Sequence, residues 1–197
     1  MQFPTLSSPH SARPNRVDKV MLQVILALIP GSIAMIWYFG WGLLINMVVA
    51  SAGAIAAEAL VLKLRGRPVV PALMDLSAVV TALLFAIAIP PTLPWWLTLL
   101  GIAFAIILVK QLYGGIGYNP FNPAMAGYVF LLVSYPVYMT VWLPPSNVLE
   151  YYPALQGLSF GDSLRAIFLG QPPAGLTWDA ISMATPLDEM RTQLDLD

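Results

Sequence analysis

Two long stretches without any charged side chain constrain most strongly how this chain can fold. The first runs from Val20 to Ala57 and the second from Leu76 to Val109. A membrane-crossing helix needs about 20 apolar residues, so the first stretch is long enough for two crossings, whereas the second can supply two only if they are short. Charged residues make up only 10% of the sequence, whereas a soluble domain carries about 25%. The sequence therefore predicts an all-α integral membrane protein.

Turn-forming residues divide the apolar sequence into five predicted transmembrane helices. Gly40-Trp41-Gly42 separates the first two, and Pro90-Pro91 separates the third from the fourth. The halves of the second stretch are short, so we expect some helices to be tilted or broken. The predicted spans are residues 19–39, 42–62, 72–90, 94–111 and 123–143, the last of them kinked at Pro136.

The segment after the fifth span differs from the rest in composition. Residues 144–197 contain two Pro-Pro pairs, several glycines and most of the acidic residues. Their apolar runs are too short to cross a bilayer. We therefore predict an irregular extramembrane loop over residues 144–197, with a short amphipathic helix around Ser163–Leu169.

Basic residues predict the orientation of the five spans in a bacterial inner membrane. With residues 1–18 as a cytoplasmic tail, seven of the nine Lys and Arg residues lie inside, which follows the positive-inside rule. Five tryptophans then fall at the outer interface, where such rings prefer to sit, and residues 144–197 become a periplasmic loop. The inside set is Arg13, Arg16, Lys19, Lys63, Arg65, Arg67 and Lys110, and the tryptophans are Trp37, Trp41, Trp95, Trp96 and Trp142.

Composition also excludes several kinds of site and partner. The chain has no cysteine and a single histidine, His10, so it cannot by itself ligate an iron–sulfur cluster or a bis-histidine haem. We expect no metal site. The net charge of −1 includes no basic patch that would bind nucleic acid. If this chain carries electrons, an organic cofactor such as a flavin must hold them.

The segment from Asp179 to Pro186, with the sequence DAISMATP, is the strongest functional signal in the chain. It fits D-x-x-[S/T]-x-A-T and resembles the covalent flavinylation site of ion-pumping redox complexes, in which a threonine hydroxyl carries FMN through a phosphodiester bond. The resemblance implies that Thr185 carries FMN and that a flavin transferase recognises Asp179, Ser182 and Ala184. A separate enzyme is needed because threonine is a poor nucleophile and no base is visible nearby. The alternative is an ordinary loop with a chance Thr-Pro turn.

Other motifs extend the resemblance over nearly the whole chain, and with them the chain is similar to the D subunits of Rnf electron-transport complexes. The B subunits of sodium-translocating NADH:quinone reductases are a homologous alternative, although they usually have a longer N-terminal extension. The family continues with a second set of spans, so the resemblance covers the N-terminal half and the flavin loop, as in a truncated product or a split subunit. The motifs are Ser7–His10, Ala27–Gly31, Asp75–Ala78, Pro90–Trp96 and Gly114–Ala124.

This resemblance implies a role in electron transfer. Complexes of this family couple oxidation and reduction of ferredoxin and NAD to the movement of sodium ions or protons. We expect the ferredoxin and NAD sites on other membrane and peripheral subunits, with no complete active site and no catalytic residue on this chain. A transporter-like subunit without a redox role is the alternative, because short, proline-broken spans also suit a carrier.

A glycine-, asparagine- and proline-rich hinge before the fifth span is a second candidate site. Unwound backbone at membrane depth is tolerated where protein or water covers it, and glycine lets the backbone approach a ligand. The hinge can therefore hold a non-covalent flavin such as riboflavin or an ion path, as the resemblance suggests, or it can be a tight turn. The candidates there are Gly114, Gly115, Gly117, Asn119 and Asn122.

Three charged residues fall within or beside the predicted spans. Asp75 precedes a short apolar helix, so it is expected to cap that helix, with an ion or proton ligand as the alternative. Glu58 is expected to form an ion pair at the interface with nearby Lys63. Lys110 is expected to extend its ammonium group to the membrane surface.

Overall fold

The computed structural model describes residues 16–146, 158–172 and 177–178, and every regular element in these residues is a helix. The all-α prediction is therefore confirmed for the described part of the chain. The helices are α1 (Val17–Phe39), α2 (Trp41–Leu64), α3 (Val69–Leu73), α4 (Ser77–Ala88), α5 (Trp95–Ala103, continuing as a π-helix over Phe104–Gln111), α6 (Pro123–Ser134), α7 (Pro136–Thr140) and α8 (Phe160–Leu169).

Helices α1 and α2 follow each other directly along the chain, and both are long and apolar enough to cross a membrane. Gly40 alone separates them, with a φ of 83° that favours glycine because it has no Cβ. Helix α1 buries none of its residues in the bundle, whereas α2 is packed on several sides. Helix α2 is therefore the central element around which α4, α5 and the π-helix are arranged.

Contacts at the two ends of α2 define the directions of its neighbours. Asn46, near the start of α2, bonds to the carbonyl oxygens of Pro90 and Pro91 just after α4, at 3.3 and 3.2 Å. Glu58, near the end of α2, lies beside Lys110 at the end of the π-helix. Lys110 also bonds to Ser77, the first residue of α4. Helix α4 is therefore antiparallel to α2, and α5 with its π-helix is parallel to α2.

Helix α6 packs antiparallel to α5 and the π-helix through small residues. A Cβ added to Gly127 would lie 2.7 Å from the carbonyl oxygen of Gly101, so the two backbones are nearly in contact. The rings of Phe104 and Phe130 stack with their centroids 4.3 Å apart. Close backbone approach at small residues is a common way for membrane helices to associate.

Two spans that were predicted as single helices are each divided into two helices in the structure. The span predicted over residues 72–90 is divided into α3 and α4, with Leu76 between them in the left-handed region at a φ of 63°. The span predicted over residues 123–143 is divided into α6 and α7, because Pro136 lacks an N–H and Tyr135 leaves the helical conformation. The short amphipathic helix begins at Phe160 rather than Ser163, since Ser159 accepts the N–H of Asp162 at 3.2 Å and so caps it.

Candidate functional site

The flavinylation motif lies outside the described residues, and this includes Asp179, Ser182, Ala184 and Thr185. The nearest described residue is Trp178. The proposed FMN attachment at Thr185 therefore stays a prediction from the sequence.

A pocket of about 450 Å³ lies at the end of the bundle where Trp178 is found. Aromatic and aliphatic side chains line it, and among them Trp96 packs edge-on against Tyr138 with centroids 6.2 Å apart. Phe168 of the lining also stacks on Trp95, which lies outside the pocket, at 6.5 Å. Apolar pockets with a few polar groups are the usual sites for flat organic ligands. We call this the aromatic pocket, and its main lining residues are Thr92, Trp96, Tyr138, Ile167, Phe168 and Trp178.

The glycine-rich hinge is a turn whose polar side chains already have partners. Gly114, Gly115 and Gly117 have φ values of 106°, 108° and 85°, and a Cβ at Gly115 or Gly117 would meet nothing within 4 Å. The backbone conformation, rather than lack of space, thus requires glycine there. Asn122 caps α6 by accepting the N–H of Ala124 at 2.9 Å, and Asn119 donates to the carbonyl of Phe121 at 2.6 Å. Their role as flavin or ion ligands stays a prediction.

A buried charged cluster lies at the end of the bundle opposite the aromatic pocket. The Lys110 ammonium donates to Glu58 Oε1 at 2.7 Å and to Ser77 Oγ at 2.6 Å. The Gln111 amide also donates to Glu58 Oε1, at 2.6 Å. Glu58 and Lys110 are each only 2% exposed. We call Glu58, Ser77, Lys110 and Gln111 the buried cluster.

The buried cluster corrects two expectations from the sequence. Glu58 pairs with Lys110, which is 52 positions away, and not with its neighbour Lys63, whose side chain is exposed. Lys110 points into the bundle rather than to the membrane surface. The sequence carried one signal for this site, because ionisable residues inside membrane segments usually face the bundle interior and pair with one another.

The π-helix explains how two consecutive residues reach the same carboxylate. Backbone bonds of the i→i+5 type continue to its end, from Leu112 N to Ile107 O and from Gly115 N to Lys110 O, both at 3.0 Å. Wider turns rotate successive side chains through a smaller angle than an α-helix does. Lys110 and Gln111 can therefore both face Glu58. Such π segments within α-helices are frequent at functional sites.

Asp75 connects the buried cluster to the surface. Its Oδ1 accepts the N–H of Ser77, the first residue of α4, at 2.8 Å, whereas Leu76 and not Asp75 occupies the N-cap position that was expected for Asp75. The same oxygen accepts the Ser77 hydroxyl. Asp75 is half-buried and thus lies at the edge of the cluster. The exposed Arg65 also contacts the cluster from outside, where it donates to the Gln111 carbonyl at 2.7 Å.

Known proteins similar to this chain are subunits of ion-translocating oxidoreductase complexes. The model of the NQR2, RnfD, RnfE family matches residues 5–196. The D subunit of the ion-translocating oxidoreductase complex from Shewanella amazonensis is 52% identical over 100% of this chain and 56% of its own length. The corresponding subunits from Aeromonas hydrophila and Escherichia fergusonii are 49% and 47% identical over 98% of this chain, which covers 55% and 56% of them. The chain thus spans about half the length of these curated relatives, and it belongs to the NQR2, RnfD, RnfE family.

Proposed function

We propose that this chain is the electron-carrying membrane subunit of an Rnf-type ion-translocating complex that transfers electrons between ferredoxin and NAD. The observation that carries the proposal is the motif ending at Thr185 in a chain of this family. The names of the similar relatives favour this role over that of the B subunit in a sodium-translocating NADH:quinone reductase. They also favour it over a transporter-like subunit without redox function. Ferredoxin and NAD would bind to other subunits of the complex.

In this proposal FMN is attached to the Thr185 hydroxyl through a phosphodiester bond made by a flavin transferase. Bound FMN accepts and donates one or two electrons, which suits a carrier between redox partners. The absence of cysteine and the single histidine make an organic carrier the natural choice. The attachment holds the flavin at a high effective concentration near its partners.

The aromatic pocket is the candidate binding site for the ring system of such a flavin. An extended chain covers at most about 3.3–3.6 Å per residue, so the segment from Trp178 to Thr185 reaches about 23–25 Å. A flavin on Thr185 is therefore within reach of a pocket that Trp178 itself lines. The rings of Trp96, Tyr138 and Phe168 offer faces and edges for contact with a flat heterocycle.

The proposed orientation places the buried cluster at the cytoplasmic side and the aromatic pocket at the periplasmic side. The contact from Arg65 to the Gln111 carbonyl brings the basic ends of α2 and the π-helix together. At the opposite end, Trp41 packs on Phe160 at 5.9 Å and Trp96 on Tyr135 at 5.6 Å. Aromatic rings favour a membrane interface, and basic residues favour the cytoplasmic side, so the basic end supports a cytoplasmic N-terminus and a periplasmic Thr185 loop.

A second, non-covalent flavin such as riboflavin, or an ion path, is proposed at the hinge. A groove of about 720 Å³ lies beside it, between the π-helix and α6. Phe121 and Asn122 of the hinge line this groove together with Phe104 and Phe130. Its apolar, aromatic lining suits a flat ring better than an ion.

Covalent flavin on Thr185 is expected to appear when the full chain is produced together with a flavin transferase. The wild-type band should fluoresce under ultraviolet light on a denaturing gel, and the intact mass should rise by that of FMN minus water. Thr185→Ala should lose both signals completely, whereas Thr192→Ala, a threonine outside the motif, should keep them. A dark wild-type band, or a fluorescent Thr185→Ala band, would refute the proposal.

The orientation can be tested with single cysteines, since the chain has none of its own. A membrane-impermeant maleimide applied to spheroplasts is expected to label Thr192→Cys. It should label Arg67→Cys, an exposed position at the basic end, only after the membrane is permeabilised. The reverse pattern would contradict a periplasmic Thr185 loop.

A further inference from the structure

Glu58 carries a carboxylate oxygen that nothing in the proposed electron transfer uses. Its Oε1 accepts two hydrogen bonds, from Lys110 and Gln111, whereas its Oε2 is buried and has no partner among the described residues. A buried polar atom without a partner is unfavourable because it has given up its hydrogen bonds to water, and a charged one more so. An acidic side chain inside a membrane protein is accordingly a candidate for a functional role.

A continuous chain of hydrogen bonds leads from Glu58 to the half-buried Asp75. The Lys110 ammonium bridges Glu58 Oε1 and Ser77 Oγ, at 2.7 and 2.6 Å. The Ser77 hydroxyl in turn donates to Asp75 Oδ1. Each bond joins groups that can give up one proton and accept another. The fully buried carboxyl is thus linked to a group at the edge of the protein.

The surroundings of Glu58 favour a proton over a metal cation as its ligand. A sodium ion needs several oxygen ligands, as hard cations do. The groups directed at Glu58 are instead N–H donors from Lys110 and Gln111, and the ammonium already occupies the position of a cation. A proton on Oε2 needs no coordination shell and leaves Lys110 in place.

We propose that Glu58 is a proton-exchange site that communicates with the protein surface through Lys110, Ser77 and Asp75. With Glu58 protonated, the Lys110 ammonium passes a proton to Ser77 Oγ while the Ser77 hydroxyl passes its own to Asp75 Oδ1. Rotation of the Glu58 carboxyl group then brings its proton to the Lys110 nitrogen. One proton has moved from Glu58 to Asp75, and Lys110 and Ser77 end as they began. No electron is transferred in this step.

The charges facing Glu58 are few. Lys110 contacts it directly from the π-helix, and Asp75 is reached from α4 through Ser77. Arg65 meets the cluster only at the Gln111 carbonyl, and the other basic side chains at this end, Lys63 and Arg67, are exposed. Within the described residues, no further ionised group forms an ion pair with the cluster.

Proton exchange at Glu58 can be tested on the purified full chain in lipid nanodiscs. Neither flavin nor partner subunits are needed, so the result does not depend on whether Thr185 carries FMN. Infrared difference spectra recorded as the pH is lowered should show the C=O band of a protonated, buried carboxylic acid. Glu58→Gln should remove this band, and Asp18→Asn, at an exposed carboxylate outside the cluster, should keep it. If Glu58→Gln does not fold, the loss of the band can be measured in the Glu58→Gln/Lys110→Met double variant, because that variant leaves no buried charge.

The path can be tested separately by the rate at which the band appears after a pH jump. Ser77→Ala and Asp75→Asn keep Glu58 but break the chain of hydrogen bonds. Each is expected to slow protonation by about 100-fold, the lower end of what a positioned proton-transfer group contributes. Three results would overturn the proposal. The first is a band that persists in Glu58→Gln, and the second is a Glu58 that stays ionised at every pH at which the chain is folded. The third is an unchanged protonation rate in both Ser77→Ala and Asp75→Asn.

Discussion

Lys110→Met is expected to lower the free energy of unfolding by about 3–5 kcal/mol, because it leaves Glu58 as a buried charge without its partner. The Lys110 ammonium is the only cation in contact with Glu58 among the described residues, at 2.7 Å, and both side chains are shielded from solvent. Methionine fills a similar volume but offers neither charge nor donor. The effect can be measured on the full chain in detergent micelles by denaturant titration followed by tryptophan fluorescence.

Two controls separate the buried charge from general damage. Lys63→Met removes an exposed lysine from the same end of the bundle and is expected to change stability by no more than about 0.5 kcal/mol. The Glu58→Gln/Lys110→Met double variant removes both charges and should recover most of the stability lost in Lys110→Met. If Lys110→Met is as mild as Lys63→Met, the pair does not exist as described.

Gly127→Ala is expected to destabilise the packing of α6 on α5 by about 1–3 kcal/mol, the usual effect of overpacking. The added Cβ would lie 2.7 Å from the Gly101 carbonyl oxygen and 3.1 Å from the Ala105 Cβ. A backbone oxygen cannot move aside as the end of a flexible side chain can, so the helices must separate. The same denaturant titration measures the loss.

Gly31→Ala is the matched control for this substitution. Gly31 also lies inside a helix, but a Cβ there would meet nothing within 4 Å. Because alanine favours helix by up to about 1 kcal/mol over glycine, Gly31→Ala should be neutral or stabilising. Equal effects at positions 31 and 127 would show that helix propensity, rather than contact between helices, determines the result.

Features that depend on nearby residues could be predicted from the sequence. Charge-free stretches predicted the helices, Gly40 marked the boundary between α1 and α2, and Asp75 was expected at the start of α4, where it bonds to the Ser77 N–H although Leu76 is the N-cap. Pro136 was expected only to bend a helix, yet it separates α6 from α7. Helix α6 ends there because Pro136 lacks an N–H and because Tyr135 has a non-helical backbone conformation. The sequence did not predict the conformation of Tyr135.

The family and the Thr185 motif were also visible in the sequence, since a motif is a local pattern and the resemblance extends along the chain. The aromatic pocket was not predicted. Its walls come from the segment before α5, the first turn of α5, the region of α7 and the end of α8, together with Trp178. Only the packing of these distant segments brings their rings to one place.

The sequence by itself determined that this protein is a bundle of apolar helices of the NQR2, RnfD, RnfE family with a candidate flavin threonine. Only the tertiary structure decided that Glu58 pairs with Lys110. The sequence placed Lys63 closest to Glu58 along the chain, but the Lys63 side chain is exposed and does not pair with Glu58. Lys110 meets Glu58 because α2 and α5 run parallel in matching register and the π-helix turns both Lys110 and Gln111 inward. Such a pairing depends on the relative positions of separate helices, which no local pattern encodes.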